Sequence, residues 1–285
     1  MPKIKKILIF SFALWLLSVV SLAAFAQREN VYETFRGTRI VNGHSVETQR
    51  EGELEMIIAH RFGTLNGGPY ELFGLDQASM RIGLEYGMKD WLSIGMGRSS
   101  YEKTYDGFIK ARLLRQKVGG WPFSVTYVGG SAIRTLHETD SVRALFNTNR
   151  LFYSHQVLIA SKIGDRFSFQ VMPTVVHRNF TESRAEKNDV KAIGVATRVR
   201  MNKNIALTGE YYYILPNQLS DLYFNPAGIG IEIGTGGHVF QLHFTNSRGM
   251  TERFFIPETT GNVLRGDIHF GFNMSRIFKM KGRWY

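Results

Sequence analysis

Two histidines near the end of the chain have the residue types and spacing of a proton-transfer or metal-binding site. His243 and His269 each fall on the more polar face of an alternating segment, and Asp267 precedes His269 by two positions. A carboxylate beside an imidazole can orient it as a general base, and the same nitrogen and oxygen atoms can bind a metal ion. If the two segments are adjacent strands, these three side chains share one surface and form a candidate site.

A hydrolase also needs a nucleophile within hydrogen-bond reach of its base. Ser154 and His155 are consecutive, so on a strand they point to opposite faces. Ser247 lies near His243 only in the following loop, and the stretch Gly43–Glu47 (GHSVE) lacks the pattern of a nucleophile elbow. We therefore assign no catalytic residue, no metal ligand and no cofactor, and a lipid-modifying enzyme is the least favoured class of function.

Charged residues recur on the polar face of many other segments. If that face lines a lumen, its bases and acids either neutralise one another as ion pairs that stiffen the wall or form a charged pathway with a slight preference for anions. The residues expected to line the lumen, or to bind a ligand there, are Arg61, Arg81, Glu85, Lys110, Arg112, Arg198, Arg200, Glu210, Glu232, His243, Asp267 and His269, together with Glu55 and Asp106.

The segment Ser79–Met88 (SMRIGLEYGM) illustrates the element that positions these residues. Side chains on a strand alternate between two faces, so Arg81 and Glu85 share one face. In a soluble sandwich the apolar face would be buried, whereas in an outer-membrane barrel it faces lipid and the charged face lines the lumen. The apolar face of this segment carries Met80, Ile82, Leu84, Tyr86 and Met88.

About twelve segments alternate in this way, which predicts an all-β protein. Most are close to the length of a tilted membrane-spanning strand, and only Ser141–Arg150 favours a short helical turn. The predicted strands are Glu53–Arg61, Ala78–Met88, Trp91–Gly97, Thr104–Arg115, Phe123–Ile133, Leu151–Lys162, Phe167–Val176, Val190–Arg200, Ile205–Tyr213, Pro226–Gly234, His238–Thr245 and Gly266–Ser275.

The lengths of the connections decide between the two architectures. Long and short connections alternate along the chain, except for the pair that flanks the fourth strand. Short turns on the periplasmic side and long loops on the outer side are typical of outer-membrane barrels, and a soluble sandwich has no reason to sort its loops by parity. We therefore predict a transmembrane antiparallel up-and-down β-barrel in the outer membrane, surrounded by lipid, with Arg81 and Glu85 facing the lumen.

The first residues of the chain predict export. Residues 1–26 combine a basic start, an apolar run and an Ala-Phe-Ala cleavage signature, as in a secretory signal peptide. Residues 27–50 are polar and weakly patterned, so they could form an extended lead-in, a periplasmic tail or a segment packed into a lumen. Residues 51–285 form the barrel domain, and their terminal Trp284-Tyr285 is typical of barrels that the barrel-assembly machinery inserts.

Composition narrows the classes of partner. The chain has no cysteine, so neither disulfides nor a thiolate metal site can form. Its net charge of +11 falls to +8 without residues 1–26, which carry three lysines and no acid, and the remaining bases form no dense run. We therefore exclude nucleic acid as the partner.

Two stretches resemble a known family. His60–Met88 and Gly97–Gln116 are similar to signature stretches of an uncharacterised Bacteroidetes-type outer-membrane β-barrel family, a domain of unknown function. The resemblance covers most of the exported chain and implies a barrel in the outer membrane. It carries no catalytic residue.

The sequence favours a narrow pore or transporter for a small solute. A barrel of about twelve strands lies between filled eight-stranded barrels and open porins, so its lumen could be open or plugged. The alternative is a non-conducting structural or partner-binding barrel, with the long outer loops as the binding surface. Neither the solute nor the oligomeric state follows from the sequence.

Overall fold

The computed structural model describes residues 29–136, 147–181, 183 and 186–280, so the expected signal peptide at residues 1–26 lies outside the described residues. The described residues form twelve antiparallel strands, in agreement with the alternation. They are β1 (Glu53–Thr64), β2 (Ala78–Lys89), β3 (Leu92–Ser99), β4 (Thr104–Leu114), β5 (Ser124–Arg134), β6 (Leu151–Ile163), β7 (Phe167–Arg178), β8 (Asp189–Arg200), β9 (Ile205–Ile214), β10 (Ala227–Thr235), β11 (His238–Thr245) and β12 (His269–Lys279).

Each strand pairs with its neighbours in sequence, and β1 pairs with β12 to close the barrel. At this seam Glu53 lies opposite Lys279 and Arg61 lies opposite Gly271. Closure gives every strand two hydrogen-bonded neighbours and leaves no free sheet edge. One end of the barrel, which we call the short-turn end, holds the start of β1 and the connections 90–91, 115–123, 164–166, 201–204 and 236–237. The other end, which we call the long-loop end, holds the described parts of the remaining connections, namely 65–77, 100–103, 135–136, 147–150, 179–181, 183, 186–188, 215–226 and 246–268.

The two faces of the sheet have opposite composition, as predicted for Ser79–Met88. Met80 on β2 is 41% exposed on the outer surface, whereas Arg81 is 3% exposed and faces the lumen. Ile82, Leu84 and Met88 share the outer face of β2 and are also exposed. The barrel therefore presents an apolar surface outward and encloses its charged residues.

The prediction of a last strand from Gly266 to Ser275 is wrong at both ends, because β12 runs from His269 to Lys279. A 3-10 turn at Val263–Arg265 ends at Gly266, whose φ of +77° is the left-handed conformation that glycine favours. This turn folds the backbone so that the Asp267 N–H donates to the Asn262 carbonyl at 3.2 Å. Asp267 is therefore a loop residue and not part of the lumen wall.

Helical structure in the described residues is confined to the long-loop end. Of the turn predicted for Ser141–Arg150, the described part Asn147–Arg150 is a 3-10 turn, and residues 141–146 lie outside the described residues. One α-helical turn, α1 (Glu252–Phe255), lies in the loop between β11 and β12. No helix in the described ranges has the length and apolar character needed to cross a membrane.

The buried core lies inside the barrel. Residues 34–46 of the N-terminal segment are almost all buried, including Phe35, Ile40 and Val46, which are at most 2% exposed. Residues 34–46 therefore follow the third of the three alternatives for residues 27–50, a segment packed into the lumen.

Candidate functional site

The N-terminal insert, residues 34–49, forms a tight hairpin inside the barrel. The Ile40 N–H donates to the Gly43 carbonyl at 2.9 Å, and the Ser45 N–H donates to the Thr38 carbonyl at 2.9 Å. Val41 and Asn42 form its tip, between the paired residues Ile40 and Gly43. The insert therefore has a defined conformation that the wall can recognise.

Glu210 on β9 binds the tip of this hairpin. Its carboxylate accepts hydrogen bonds from the backbone N–H groups of Val41 at 3.1 Å, Asn42 at 2.8 Å and Gly43 at 3.0 Å. Hydrogen bonds to a charged acceptor are stronger than neutral ones, so Glu210 is the principal polar anchor of the insert. Gly43 is required at the tip, because a Cβ atom there would lie 2.3 Å from the Tyr212 hydroxyl.

Other wall side chains satisfy the backbone carbonyls of the insert. Donors come from strands around most of the barrel, so the insert is held from several sides and buried backbone groups are paired. The bonds are Lys110 Nζ to Thr38 O at 3.2 Å, Gln241 Nε2 to Arg39 O at 2.9 Å, Asn273 Nδ2 to Val41 O at 3.0 Å, Gln170 Nε2 to His44 O at 2.8 Å and Thr126 Oγ1 to Val46 O at 2.7 Å.

A second segment enters the lumen from the long-loop end. This outer insert comprises residues 250–259 and contains α1, with Phe254 and Phe255 both at most 2% exposed. Glu252 joins the two inserts, because its Oε1 lies 2.8 Å from Arg39 Nη1 and 3.5 Å from His44 Nε2. The two segments therefore meet within the barrel.

An apolar cluster surrounds this meeting point. Side chains of both inserts pack against the lumen face of β5 to β9, which is far less charged than the opposite wall. The cluster consists of Phe35, Ile40, Val46, Val128, Leu158, Ala160, Met172, Val176, Ala192, Ala196, Tyr212, Phe255 and Ile256.

Little space remains where the inserts meet. The cavity lined by His44, Asp106, Ser154 and Glu252 has a volume of about 20 Å³, which is room for about one water molecule. A larger cleft of about 590 Å³ lies at the short-turn end, beside Phe35 and other residues of the N-terminal insert. Side chains therefore fill the middle of the lumen, and open volume lies toward its short-turn mouth.

Burial shifts the pKa values of two titratable groups in the N-terminal insert, His44 and Glu47. Burial lowers the pKa of His44 well below its usual 6.5, and the charges of Arg39, Lys110 and Arg81 lower it further. His44 is therefore a neutral imidazole at neutral pH. Burial also raises the pKa of Glu47, although Arg115 opposes this effect.

Several of the predicted lumen residues form ion pairs along the wall. Arg81 donates through Nε to Asp106 at 2.9 Å, and Arg198 donates through Nε to Glu232 at 2.9 Å. All four side chains are buried or nearly so. Each of these contacts pairs a base with an acid on the wall.

Other predicted lumen residues contact the N-terminal insert. Arg61 donates to Asn42 Oδ1 at 2.6 Å, and Arg112 lies 3.3 Å from the carboxylate of Glu47. Arg200 is half-buried and lies at the short-turn end of β8, where its N–H donates to the Arg166 carbonyl.

Two buried carboxylates face each other behind the insert. Glu55 on β1 and Glu85 on β2 are paired across the strands. Glu55 accepts hydrogen bonds from Thr38 Oγ1 and Gln49 Nε2, both at 2.6 Å. Neither oxygen of Glu85 has a hydrogen-bond partner among the described residues.

The histidine site suggested by the sequence does not assemble. Both nitrogens of His243 are buried without a hydrogen-bond partner in the described part of the chain, whereas His269 Nδ1 lies 2.9 Å from the Phe62 carbonyl. Asp267 accepts from Asn66 Nδ2 at 2.6 Å and from the Asn262 N–H, so it does not orient His269. The Ser247 hydroxyl donates to the Gly249 carbonyl at 3.3 Å.

The described residues also contain no metal site in place of the histidine site. Within those ranges, no group of three or more His, Asp, Glu or Cys side chains is arranged to hold a metal ion.

The N-terminal insert was only one of three alternatives for residues 27–50, and the outer insert was not predicted. Arg39, Asn42 and His44 carry the contacts of the N-terminal insert, and Glu252 carries those of the outer insert. The Asn-Gly dipeptide within residues 27–50 was an available signal for a turn, although the turn itself is centred one position earlier, on Val41 and Asn42. Glu252 had no comparable signal, since nothing in a long loop indicates that it folds inward.

Comparison with known proteins supports the membrane barrel. A family model described as "Membrane bound beta barrel domain (DUF5777)" matches residues 35–278. No curated protein matches the chain.

Solved structures with this fold include porins. The NanC porin is 7% identical with a TM-score of 0.50, covering 80% of this chain and 100% of that chain. The KdgM porin is 7% identical with a TM-score of 0.48, covering 79% and 99% of the two chains. The outer membrane protein Omp33 of Acinetobacter baumannii is 11% identical with a TM-score of 0.46, covering 80% and 99%. At such identities the likeness to the NanC porin concerns the fold alone.

Proposed function

The chain belongs to the family of membrane bound beta barrel domains DUF5777, and we propose that it is a small-solute channel that is closed at rest, with the N-terminal insert as its gate. The barrel lies in the outer membrane, embedded in lipid, and the predicted membership of an uncharacterised β-barrel family is confirmed. Insertion by the barrel-assembly machinery stays a prediction.

The way in which the wall holds the insert supports a movable gate. Glu210 binds the hairpin tip through three backbone N–H groups, and polar side chains bind the backbone carbonyls. Polar groups of this kind can exchange a protein partner for water at a modest net cost in free energy, because each lost hydrogen bond is replaced by one to solvent. A lumen vacated by the insert would therefore have a hydrated wall on the side of β1 to β4 and β9 to β12.

Such a pathway would carry little net charge. Arg81 and Asp106 neutralise each other, as do Arg198 and Glu232, and neither pair includes a residue of the insert. Arg178 is likewise neutralised, by Glu186. Among the remaining buried wall residues, the bases are Arg61, Lys110 and Arg112 and the acids are Glu55, Glu85 and Glu210, and the half-buried Arg200 adds one base at the short-turn end. We therefore expect weak ion selectivity from an open state, and the sign of the reversal potential tests the slight anion preference.

The apolar cluster favours a second candidate, a permanently closed structural or partner-binding barrel. Phe35, Ile40 and Val46 would lose their buried contacts if the insert left the lumen. Burial of side chains of this size stabilises a protein by about 1.5–3 kcal/mol each, so the cluster opposes release. The two candidates differ in whether the insert leaves the lumen under any condition.

Single-channel conductance in a planar bilayer, with a salt gradient across it, tests the proposal. The wild-type protein should be closed most of the time, with rare discrete openings. Glu210→Gln should open more often, because a neutral amide holds the three N–H groups less strongly than a carboxylate does. Asp106→Asn is the matched control, since Asp106 is a wall carboxylate that pairs with Arg81.

The outcomes separate the candidates. More frequent openings in Glu210→Gln than in Asp106→Asn would support the gate. Silence from all three proteins, each shown to be folded by the heat-dependent shift of its mobility on gels, would reject the channel in favour of the structural barrel.

A further inference from the structure

Two adjoining loops at the long-loop end display large apolar side chains. Tyr70 between β1 and β2 is 95% exposed, and Leu264 between β11 and β12 is 96% exposed. Residues of this size are seldom fully exposed in such a group unless a membrane or another molecule covers them. The complete set, which we call the apolar loop residues, is Tyr70, Leu72, Phe73, Leu75, Val263 and Leu264.

Hydrogen bonds fix these loops to each other and to the barrel. The Leu65 N–H donates to the Ile268 carbonyl at 2.9 Å, and Asn66 Nδ2 donates to Asp267 Oδ1 at 2.6 Å. Leu72 and Phe73 have φ values of +47° and +54°, which are unusual for large side chains. Strained conformations of this kind persist only where the surroundings hold them and often mark a functional segment.

The loops continue an apolar surface that already faces lipid. The outward rings of Phe62 and Phe270 stack with centroids 5.7 Å apart, and those of His60 and Phe272 stack at 5.1 Å. Phe244 on β11 joins them, with its ring centroid 5.5 Å from that of Phe270. These residues form an outward aromatic cluster on β11, β12 and β1, the strands from which the two loops emerge.

The length of β1 determines where the loop that follows it lies relative to the apolar band of the membrane. This strand has 12 residues. At about 3.3 Å per residue and a tilt of roughly 45°, such a strand rises about 28 Å, slightly more than the apolar band of about 25 Å that a barrel presents to lipid. The loop that follows β1 therefore begins at the boundary between acyl chains and headgroups.

We propose that the two loops insert the apolar loop residues into the outer leaflet and anchor this side of the barrel in lipid. The occupant of this surface is the interfacial region of the bilayer, because the loops extend an existing lipid contact at interfacial height. This anchoring is independent of whether the lumen conducts.

Site-directed spin labelling tests the proposal, and the absence of cysteine from the chain makes it direct. A nitroxide is attached to the single cysteine of Leu264→Cys, and in a separate protein to that of Tyr70→Cys. Both proteins are reconstituted in vesicles of phosphatidylethanolamine and phosphatidylglycerol. Power saturation then measures collisions with oxygen, which concentrates in lipid, and with a water-soluble nickel chelate. Leu222→Cys is the control, since Leu222 is 72% exposed in the separate loop 215–226.

The accessibilities distinguish three outcomes. Labels at positions 70 and 264 that collide with oxygen at least several-fold more than the label at 222, and several-fold less with nickel, would support insertion into lipid. Nickel accessibility equal to that at 222 would overturn the proposal, because the loops would then stand in water. Protection from both reagents would overturn it in favour of a contact with a second protein molecule.

Discussion

Gly43→Ala should loosen the N-terminal insert through a single steric contact. The added Cβ would lie 2.3 Å from Tyr212 Oη, 3.3 Å from its Cζ and 3.4 Å from Glu210 Oε2. Tyr212 is 1% exposed and its hydroxyl donates to Met172 Sδ at 3.3 Å, so the ring has little room to move. The hairpin tip must therefore shift away from Tyr212, which also lengthens its hydrogen bonds to Glu210.

The size of the effect follows from this geometry. A methyl group forced into a packed site destabilises a protein by about 1–3 kcal/mol. If about 2 kcal/mol acts on the docked insert alone, the population with a released insert rises roughly 30-fold, since 1.4 kcal/mol corresponds to a factor of ten.

Limited digestion with trypsin measures that population, because the Arg39–Ile40 bond is buried in the docked insert. Cleavage tracks the open population when opening and closing are faster than proteolysis. We expect the rate of cleavage after Arg39, followed by mass spectrometry, to rise roughly 30-fold in Gly43→Ala. The double variant Gly43→Ala/Tyr212→Phe removes the hydroxyl that lies in the way and should recover most of the wild-type protection. An unchanged rate in Gly43→Ala, or a double variant cleaved as fast as the single one, would refute the steric argument.

Three further predictions concern the inserts and the outer face. Glu252→Gln should lower the free energy of unfolding by about 1–3 kcal/mol in thermal melts, because Arg39 keeps its contact with a backbone carbonyl but loses its carboxylate partner. Equal stability of variant and wild type would contradict this. Because the folded-state pKa of His44 lies below 6.5, its contribution to stability is complete above that pH and is lost as the pH falls. Proteolysis of the insert should therefore accelerate on acidification, and His44→Gln should flatten the dependence of this proteolysis on pH. Ile82→Lys should destabilise the barrel in lipid by about 2–4 kcal/mol in urea unfolding, with Ile82→Val nearly neutral, and comparable stabilities of the two would place this face outside lipid.

The fold could be predicted because alternation is a local property. In β2 the order Met80, Arg81, Ile82 already assigns one side chain to lipid and the next to the lumen. The prediction was wrong at β12 because strand ends depend on pairing partners. Gly266 looks like a strand residue in the alternation, whereas its left-handed conformation ends a turn.

The inserts could not be predicted from the same signals. The residues that hold them, such as Glu210 and Lys110, were identified as lumen residues, but their partners are backbone groups distant in the sequence. Glu252 contacts Arg39 across more than two hundred residues, and a local pattern contains no information about such a contact. Asp267 could have oriented His269 had it continued the strand, but the loop directs its carboxylate to Asn66.

The position of the seam between β1 and β12 has a consequence for the order of folding. This pairing joins the two ends of the barrel domain, so it has the largest sequence separation of any strand pair and the largest loop-closure entropy. The N-terminal insert directly precedes β1, and residues 29–31 pair with residues 116–118 at the short-turn end, where the Val31 N–H donates to the Gln116 carbonyl. We expect the hairpin to dock against Glu210 on β9 before the seam closes, with the sheet then curling around it. A chain that lacks residues 34–49 should therefore assemble more slowly than the intact chain.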